Sequence, residues 1–230
     1  QRTPEITIIG GGLVGLSVAL GLLKAGQRVC VLDGADNDAR ASQGNFGLIW
    51  GQGKGWDFAP YANWTMDALA AWPAFAKQLQ DLSGIDVALD QSGGYEFFTD
   101  PTEFDAFEAE LAQQATHLGN RARYEMLNGE ELRSQMKGIG PDVVGASFSP
   151  CDGHVNPLRF LRALRCSVQA MGGHVTLGAT VSAIRLQPNG GFALALANGE
   201  TLQTEQVVLC AGLGAATLAR DLGFITQVRP

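Results

Sequence analysis

Two hydrophobic periods alternate along the chain. Residues 6–9 (Ile-Thr-Ile-Ile) are apolar and run straight into Gly10-Gly-Gly-Leu-Val-Gly15, and an Ala/Leu-rich run over 13–25 then stops at Gly26. That order predicts a strand, a tight turn and a helix. Residues 28–32 (Arg-Val-Cys-Val-Leu) predict a second short buried strand with Asp33 at its tip. A helical period returns over 60–82, where Trp64, Leu69, Trp72, Phe75 and Leu79 can share one broad core-facing side. The period then drops to two, and 87–90, a Gly93-Gly94 turn and 95–98 predict a hairpin. Residues 101–117 predict an amphipathic helix with Phe104, Phe107 and Leu111 inward and His117 at the surface near its C-terminus. Asn128 with Glu131 three residues on predicts a capped short helix, and 142–149 return to strand pattern.

Asn156 suits an N-cap and Pro157 a first helical position, followed by the stripe Leu158, Leu161, Leu164 and Val168 up to Gly172-Gly173. A strand over 174–177 makes that helix a crossover back onto a parallel sheet. Residues 181–186, 192–197 and 201–203 predict a meander, with Asn198-Gly199 as a hairpin turn. Residues 207–214 are a continuous apolar strand, expected to be buried on both faces, that enters a glycine turn and a helix. Residues 228–230 read as the opening of another strand. The predicted class is α/β: a Rossmann-like domain, a parallel sheet with a β-meander, interrupted by an α+β insertion.

Composition narrows the picture little. The 230 residues are 46% hydrophobic and 17% charged, enough for one large domain or two small ones. A net charge of −7 leaves no basic face for nucleic acid. Cys30, Cys151, Cys166 and Cys210 contain no C-x-x-C and read as buried reduced thiols, which suits a reducing, cytoplasmic compartment; no metal site is expected. No run has the length of a transmembrane helix, and the apolar start lacks a basic flank, so it does not read as a signal peptide.

The chemistry gathers at the first turn. Gly10, Gly12 and Gly15 have G-x-G-x-x-G spacing: the first permits the turn, the second lets backbone approach a pyrophosphate, and the third lets the helix pack closely. Asp33 stands about 20 residues on, where a ribose 2′-OH partner belongs. The alternative is a glycine-rich βα turn with Asp33 as a strand-end residue. Where a nicotinamide-binding half would continue with helix and strand, residues 41–55 form a small-residue loop. There Ser42, Gln43 and Asn45 offer hydroxyl and amide groups to a second cofactor clamp, or merely line a solvated loop.

Gly10-x-Gly12-x-x-Gly15, Asp33, Ala41-Ser42-x-x-Asn45-x-Gly47, the Asp152-Gly-His-Val-Asn-Pro157 stretch and Val207-Val-Leu-Cys-Ala-Gly212 resemble, in order, the FAD-dependent D-amino-acid oxidase family. That family includes glycine oxidase, sarcosine oxidase and D-amino-acid dehydrogenase. Residues 45–54 look nearest to the flavin subunits of opine oxidase and hydrogen cyanide synthase. The resemblance implies that Gly10, Gly12, Val14 and Gly15 take the FAD pyrophosphate and Asp33 the adenosine ribose. It implies that Ser42, Gln43, Asn45, Gly47 and Leu48 approach the diphosphate, ribityl chain or isoalloxazine. Val181 would hold the adenine edge through its backbone, and Ala211 and Gly212 would close the nucleotide site.

The implied activity is oxidation of the C–N bond of an amino acid or secondary amine, with hydride passing to flavin N5, in a dehydrogenase subunit that hands electrons to a partner. Trp50, Gln52, Lys54 and His154 are candidates for the flavin environment, with no catalytic role assigned. The implied domains are FAD-binding segments 1–55 and 150–222, a partial substrate domain 56–149, and a return to that domain over 223–230. Relatives continue past residue 230, so the expectation is that a C-terminal part is missing and that residues 1–230 alone bind FAD weakly and do not turn over. A peripheral position at the inner membrane face is compatible with this reading. The competing readings are a nicotinamide-dependent dehydrogenase and a truncated, non-catalytic nucleotide-binding subunit.

Overall fold

The computed structural model describes residues 5–34 and 40–225. In chain order the first elements are β1 (Ile6–Ile9), α1 (Leu13–Lys24), β2 (Val29–Leu32), β3 (Leu48–Ile49), α2 (Ala59–Ser83), β4 (Gly94–Phe98) and α3 (Pro101–Leu118). Then come β5 (Glu125–Asn128), α4 (Gly129–Gln135), β6 (Gly145–Ser149), β7 (Gly153–His154), α5 (Pro157–Ala170) and β8 (His174–Thr176). The last are β9 (Val181–Leu186), β10 (Phe192–Leu196), β11 (Thr201–Thr204), β12 (Gln206–Leu209) and α6 (Ala215–Arg220). The expected strand over 228–230 lies outside the described residues.

The chain divides into two compact units. The first comprises Gln1–Asn45, Gln78–Val87 and Pro157–Pro230, the second Phe46–Lys77 and Ala88–Asn156.

In the first unit a parallel sheet has the order β12-β1-β2-β8. β1 and β2 pair in parallel because α1 carries the chain back over the sheet, and α5 does the same for β8, which pairs with β2 from Cys30–His174 to Leu32–Thr176. Helix α1 buries Leu16, Ala19 and Leu20, and α5 buries Phe160, Leu161, Ala163, Leu164 and Val168. Full burial of each leucine contributes about 1.5–3 kcal/mol. Leu158, expected in that stripe, is exposed: it sits in the first helical turn, off the face that Leu161 and Leu164 share. Ile9, Cys30 and Leu32 instead pack with Val181, Ile184 and Leu194 of the antiparallel β11-β10-β9 meander and with Leu218 of α6. Asn198-Gly199 forms the β10–β11 turn, with Gly199 at φ 88°.

β12 departs from expectation. Val207, Val208 and Leu209 are half-buried, because among the described residues β12 is an edge strand with β1 as its one neighbour.

The second unit is α+β. Its antiparallel sheet has the order β4-β6-β5, and β3 pairs with β7. Phe98 packs against Phe104 and Phe107, with ring centroids 5.7 and 5.3 Å apart, and this fixes α3 against β4. Asn128 and Glu131 close the capping box that starts α4.

Three expectations fail in the second unit and the adjoining chain. Residues 87–90 do not pair with 95–98: Ala88 has a left-handed φ of 54°, incompatible with a strand, and β4 takes β6 as its partner. Trp64 is 72% exposed, because the buried positions of α2 are Ala62, Leu69 and Leu79, and Trp64 lies about 200° round the helix from Ala62. His117 is half-buried, and its Nε2 is enclosed.

Candidate functional site

The β1–α1 bend is built by close backbone approach. Gly10 N–H donates to the Leu32 carbonyl (2.8 Å) and Cys210 N–H to the Ile9 carbonyl (2.8 Å), so the ends of three neighbouring strands meet here. Gly10 has φ 109°, and a Cβ on it would strike the Cys210 carbonyl. A Cβ on Gly15 would strike the Gly10 carbonyl, so the helix can sit this close to the strand only because neither residue has a side chain. Gly12 differs. Its φ of −77° and ψ of −175° suit any residue, but a Cβ there would stand 2.8 Å from Ser42 Oγ.

That Ser42 hydroxyl accepts the Leu13 N–H (3.0 Å), although Ser42 is 29 residues away in the chain. Gly12 itself supplies no side-chain cap, and no acidic residue occupies the first turn of α1. The helix therefore presents N–H groups and the positive end of its dipole, a ready anion site. Val14, in this turn, is 67% exposed.

Asp33, at the end of β2, turns towards the bend. It is only 4% exposed. Its Oδ1 accepts the Gly11 N–H (2.9 Å), and Arg40 Nη1 donates to both Oδ1 (2.8 Å) and Oδ2 (2.9 Å). Arg40 Nη2 is anchored on the Gly34 carbonyl (2.9 Å). The Asp33 backbone is tied as well: its N–H donates to Thr176 and its carbonyl accepts from Ala179.

Other expected cofactor residues take the following places. Gln43 N–H donates to the Arg40 carbonyl (2.9 Å), and Asn45 Nδ2 bonds the Ala41 and Ser42 carbonyls (3.2 and 3.0 Å), so both shape the 41–45 turn that carries Ser42. The Val181 side chain lies in the core, which leaves only its backbone for a ligand. Ala211 and Gly212 follow β12 directly beyond Cys210, whose carbonyl touches the Gly10 position. Gly47 and Leu48 belong to the second unit, where the Gly47 carbonyl accepts the Val155 N–H (2.9 Å) and Leu48 pairs with His154.

In that unit, residues 51–54 are held by a buried polar network. Asp152, fully buried, accepts the Gly51 N–H (2.8 Å) and the Gln52 N–H (3.4 Å). Burial pushes its carboxyl above the usual carboxylate range, and these hydrogen bonds oppose the shift. Gln52 Oε1 accepts the Ser147 hydroxyl (2.6 Å) and its Nε2 donates to the Gly94 carbonyl (3.1 Å), so this side chain is committed to the fold. Gln114 Nε2 bonds the Gly51 and Lys54 carbonyls (2.9 and 2.7 Å). The Trp50 ring packs against Gly94, while Lys54 and His154 are exposed.

The four cysteines form no disulfide with one another, but only Cys30 is buried. Cys151, Cys166 and Cys210 are half-buried, Cys210 because it lies just past the edge strand. Burial raises the Cys30 and Cys210 thiols above their ordinary range. Among the described residues no helix is long and apolar enough to cross a membrane.

Sequence reading missed Arg40 and Asp152 as site-builders. Both are polar residues in loops, and their partners became visible only with the fold.

Glycines without room for a Cβ, a helix start whose own N-cap residue supplies no side chain, and a carboxylate aimed at the bend fit the adenosine diphosphate half of a dinucleotide. Comparison with known proteins agrees. The family model described as "DAO: FAD dependent oxidoreductase" matches residues 5–230. An opine oxidase subunit of Agrobacterium tumefaciens is 40% identical over 223 residues, covering 96% of this chain and 59% of that protein. Glycine oxidase of Geobacillus kaustophilus is 26% identical over 98% of this chain and 59% of its own length. A crystal structure of glycine oxidase from Geobacillus kaustophilus superposes with a TM-score of 0.83 at 24% identity, over 97% of this chain and 59% of that one. The chain thus spans about three-fifths of the length of the relatives it matches.

Proposed function

The chain belongs to the DAO family of FAD-dependent oxidoreductases, and on that premise we propose that it carries the nucleotide-binding part of an enzyme that oxidises the C–N bond of an amino acid or secondary amine. When bound, the flavin would supply the hydride acceptor at N5. This chain's residues bind and orient. The backbone at Gly10, Gly12, Val14 and Gly15 and the first turn of α1 would hold the diphosphate, with Ser42 keeping that turn in place. Asp33 would accept a ribose hydroxyl, and the backbone around Val181, Ala211 and Gly212 would border the adenosine. The Asp152–Gln52–Ser147 network would keep residues 51–54 rigid.

The observation that carries the proposal is the Asp33 carboxylate turned onto the glycine bend. Without that geometry the glycine spacing would be an ordinary βα turn. The 40% identity with an opine oxidase subunit favours an opine, an N-substituted amino acid, as substrate and a further subunit as partner.

The test is anaerobic addition of N-substituted amino acids, primary amino acids and NADH, in turn, to the intact flavin-loaded protein while the flavin absorbance is followed. Bleaching by an amine and not by NADH supports the proposal. No bleaching by any amine, or bleaching by NADH alone, overturns it.

A further inference from the structure

Arg40 is outside every motif read from the sequence, yet it makes the shortest contact to Asp33, the buried carboxylate at the glycine bend. A carboxylate has about four acceptor positions. On Asp33, Oδ1 uses two, for Gly11 N–H and Arg40 Nη1, and Oδ2 uses one, for the same Nη1. Among the described residues one position remains, on Oδ2. The guanidinium is held in turn by the Gly34 carbonyl (2.9 Å), and the carboxylate cannot turn without breaking its ion pair with Arg40 (2.8 Å) and its hydrogen bond from Gly11 N–H (2.9 Å).

We propose that Arg40 is a positioning residue for the adenosine ribose: it fixes Asp33 so that the ribose is read through a single hydroxyl. The inference rests on Asp33 as the ribose acceptor. Arg40 also places a counter-charge 2.8 Å from a carboxylate that is only 4% exposed, so the buried ion has a partner. Because one nitrogen touches both oxygens, a lysine ammonium can replace the essential part of the contact. At a two-nitrogen fork it could not.

The experiment uses the intact protein stripped of flavin, titrated with ADP, 2′-deoxy-ADP and 3′-deoxy-ADP, with FAD fluorescence quenching as the competition signal. In the wild type, one deoxy analogue binds about tenfold more weakly than ADP and the other binds like ADP. Arg40→Gln reduces that tenfold discrimination to less than twofold. Arg40→Lys keeps it within threefold of wild type, and also serves as the second variant should loss of the counter-ion unfold the Gln protein.

Equal losses for both analogues in the wild type overturn the single-hydroxyl claim. Discrimination that survives Arg40→Gln, or vanishes in Arg40→Lys, overturns the role of Arg40. No preference for ADP over either analogue in the wild type overturns the ribose reading of Asp33 itself, and the inference falls with it.

Discussion

Substituting Gly12 with alanine should separate cofactor binding from folding. The backbone at Gly12 has φ −77° and ψ −175°, so alanine adopts it without strain and loses less chain entropy on folding, a gain of about 0.4–1 kcal/mol. Against this, the new Cβ stands 2.8 Å from Ser42 Oγ and displaces the hydroxyl that caps Leu13 N–H, a loss of about 1 kcal/mol. The two nearly cancel, so Tm should move by no more than about 3 °C. Binding has no such compensation. On the proposed function the methyl group would stand where backbone approaches the diphosphate, and losing one charge-assisted hydrogen bond there would cost about 2–3 kcal/mol, roughly a 30- to 150-fold weaker FAD affinity.

Gly10→Ala is the contrast. Its φ of 109° and the Cys210 carbonyl against its Cβ make the fold itself suffer, by about 3 kcal/mol or more and a Tm fall of roughly 6–12 °C. Thermal unfolding of flavin-free protein and fluorescence titration with FAD measure both quantities. Gly12→Ala binding FAD with wild-type affinity, or losing as much Tm as Gly10→Ala, would refute the reasoning.

Asp152→Ala should destabilise the protein by about 2–4 kcal/mol in urea unfolding, since it leaves the Gly51 and Gln52 N–H groups buried without an acceptor. The folded carboxyl of Asp152 is raised, so the native state holds its proton more tightly than the unfolded state. Its contribution is therefore greatest below the unfolded value of about 3.9 and declines as pH climbs through the raised folded value. The wild-type minus Asp152→Asn stability difference should fall over that window and then level off; a rise with pH would contradict the burial argument. Cys30 and Cys210, with raised thiols, should react with iodoacetamide at pH 7.5 at least tenfold more slowly in native than in urea-unfolded protein, as peptide mass spectrometry would show.

How far the sequence announced this molecule depended on the range of the interactions. The β1–α1–β2 unit was legible because its signals are local: β-branched strands, glycines that permit a bend, and an acidic residue where strand geometry ends. The α4 capping box and the Asn198-Gly199 turn were legible for the same reason. The hairpin expected at 87–98 failed because alternation cannot reveal that Ala88 is left-handed, or that β4 would pair with a strand some 50 residues later. β12 looked doubly buried because an apolar run reports what a strand can tolerate and says nothing of its place in the sheet. Arg40 and Asp152 acquire meaning only from partners brought to them by the fold, Asp152 from amides about 100 residues away.

The placement of β12 also bears on how the polypeptide is made. Ile6 pairs with Gln206, so β1 waits for a neighbour emerging 200 residues later, about 10–40 s at ordinary ribosomal speeds. Throughout that delay an apolar ribbon with unpaired amides stands open to other nascent chains, which makes newly made protein, rather than the folded form, the one most in need of a chaperone.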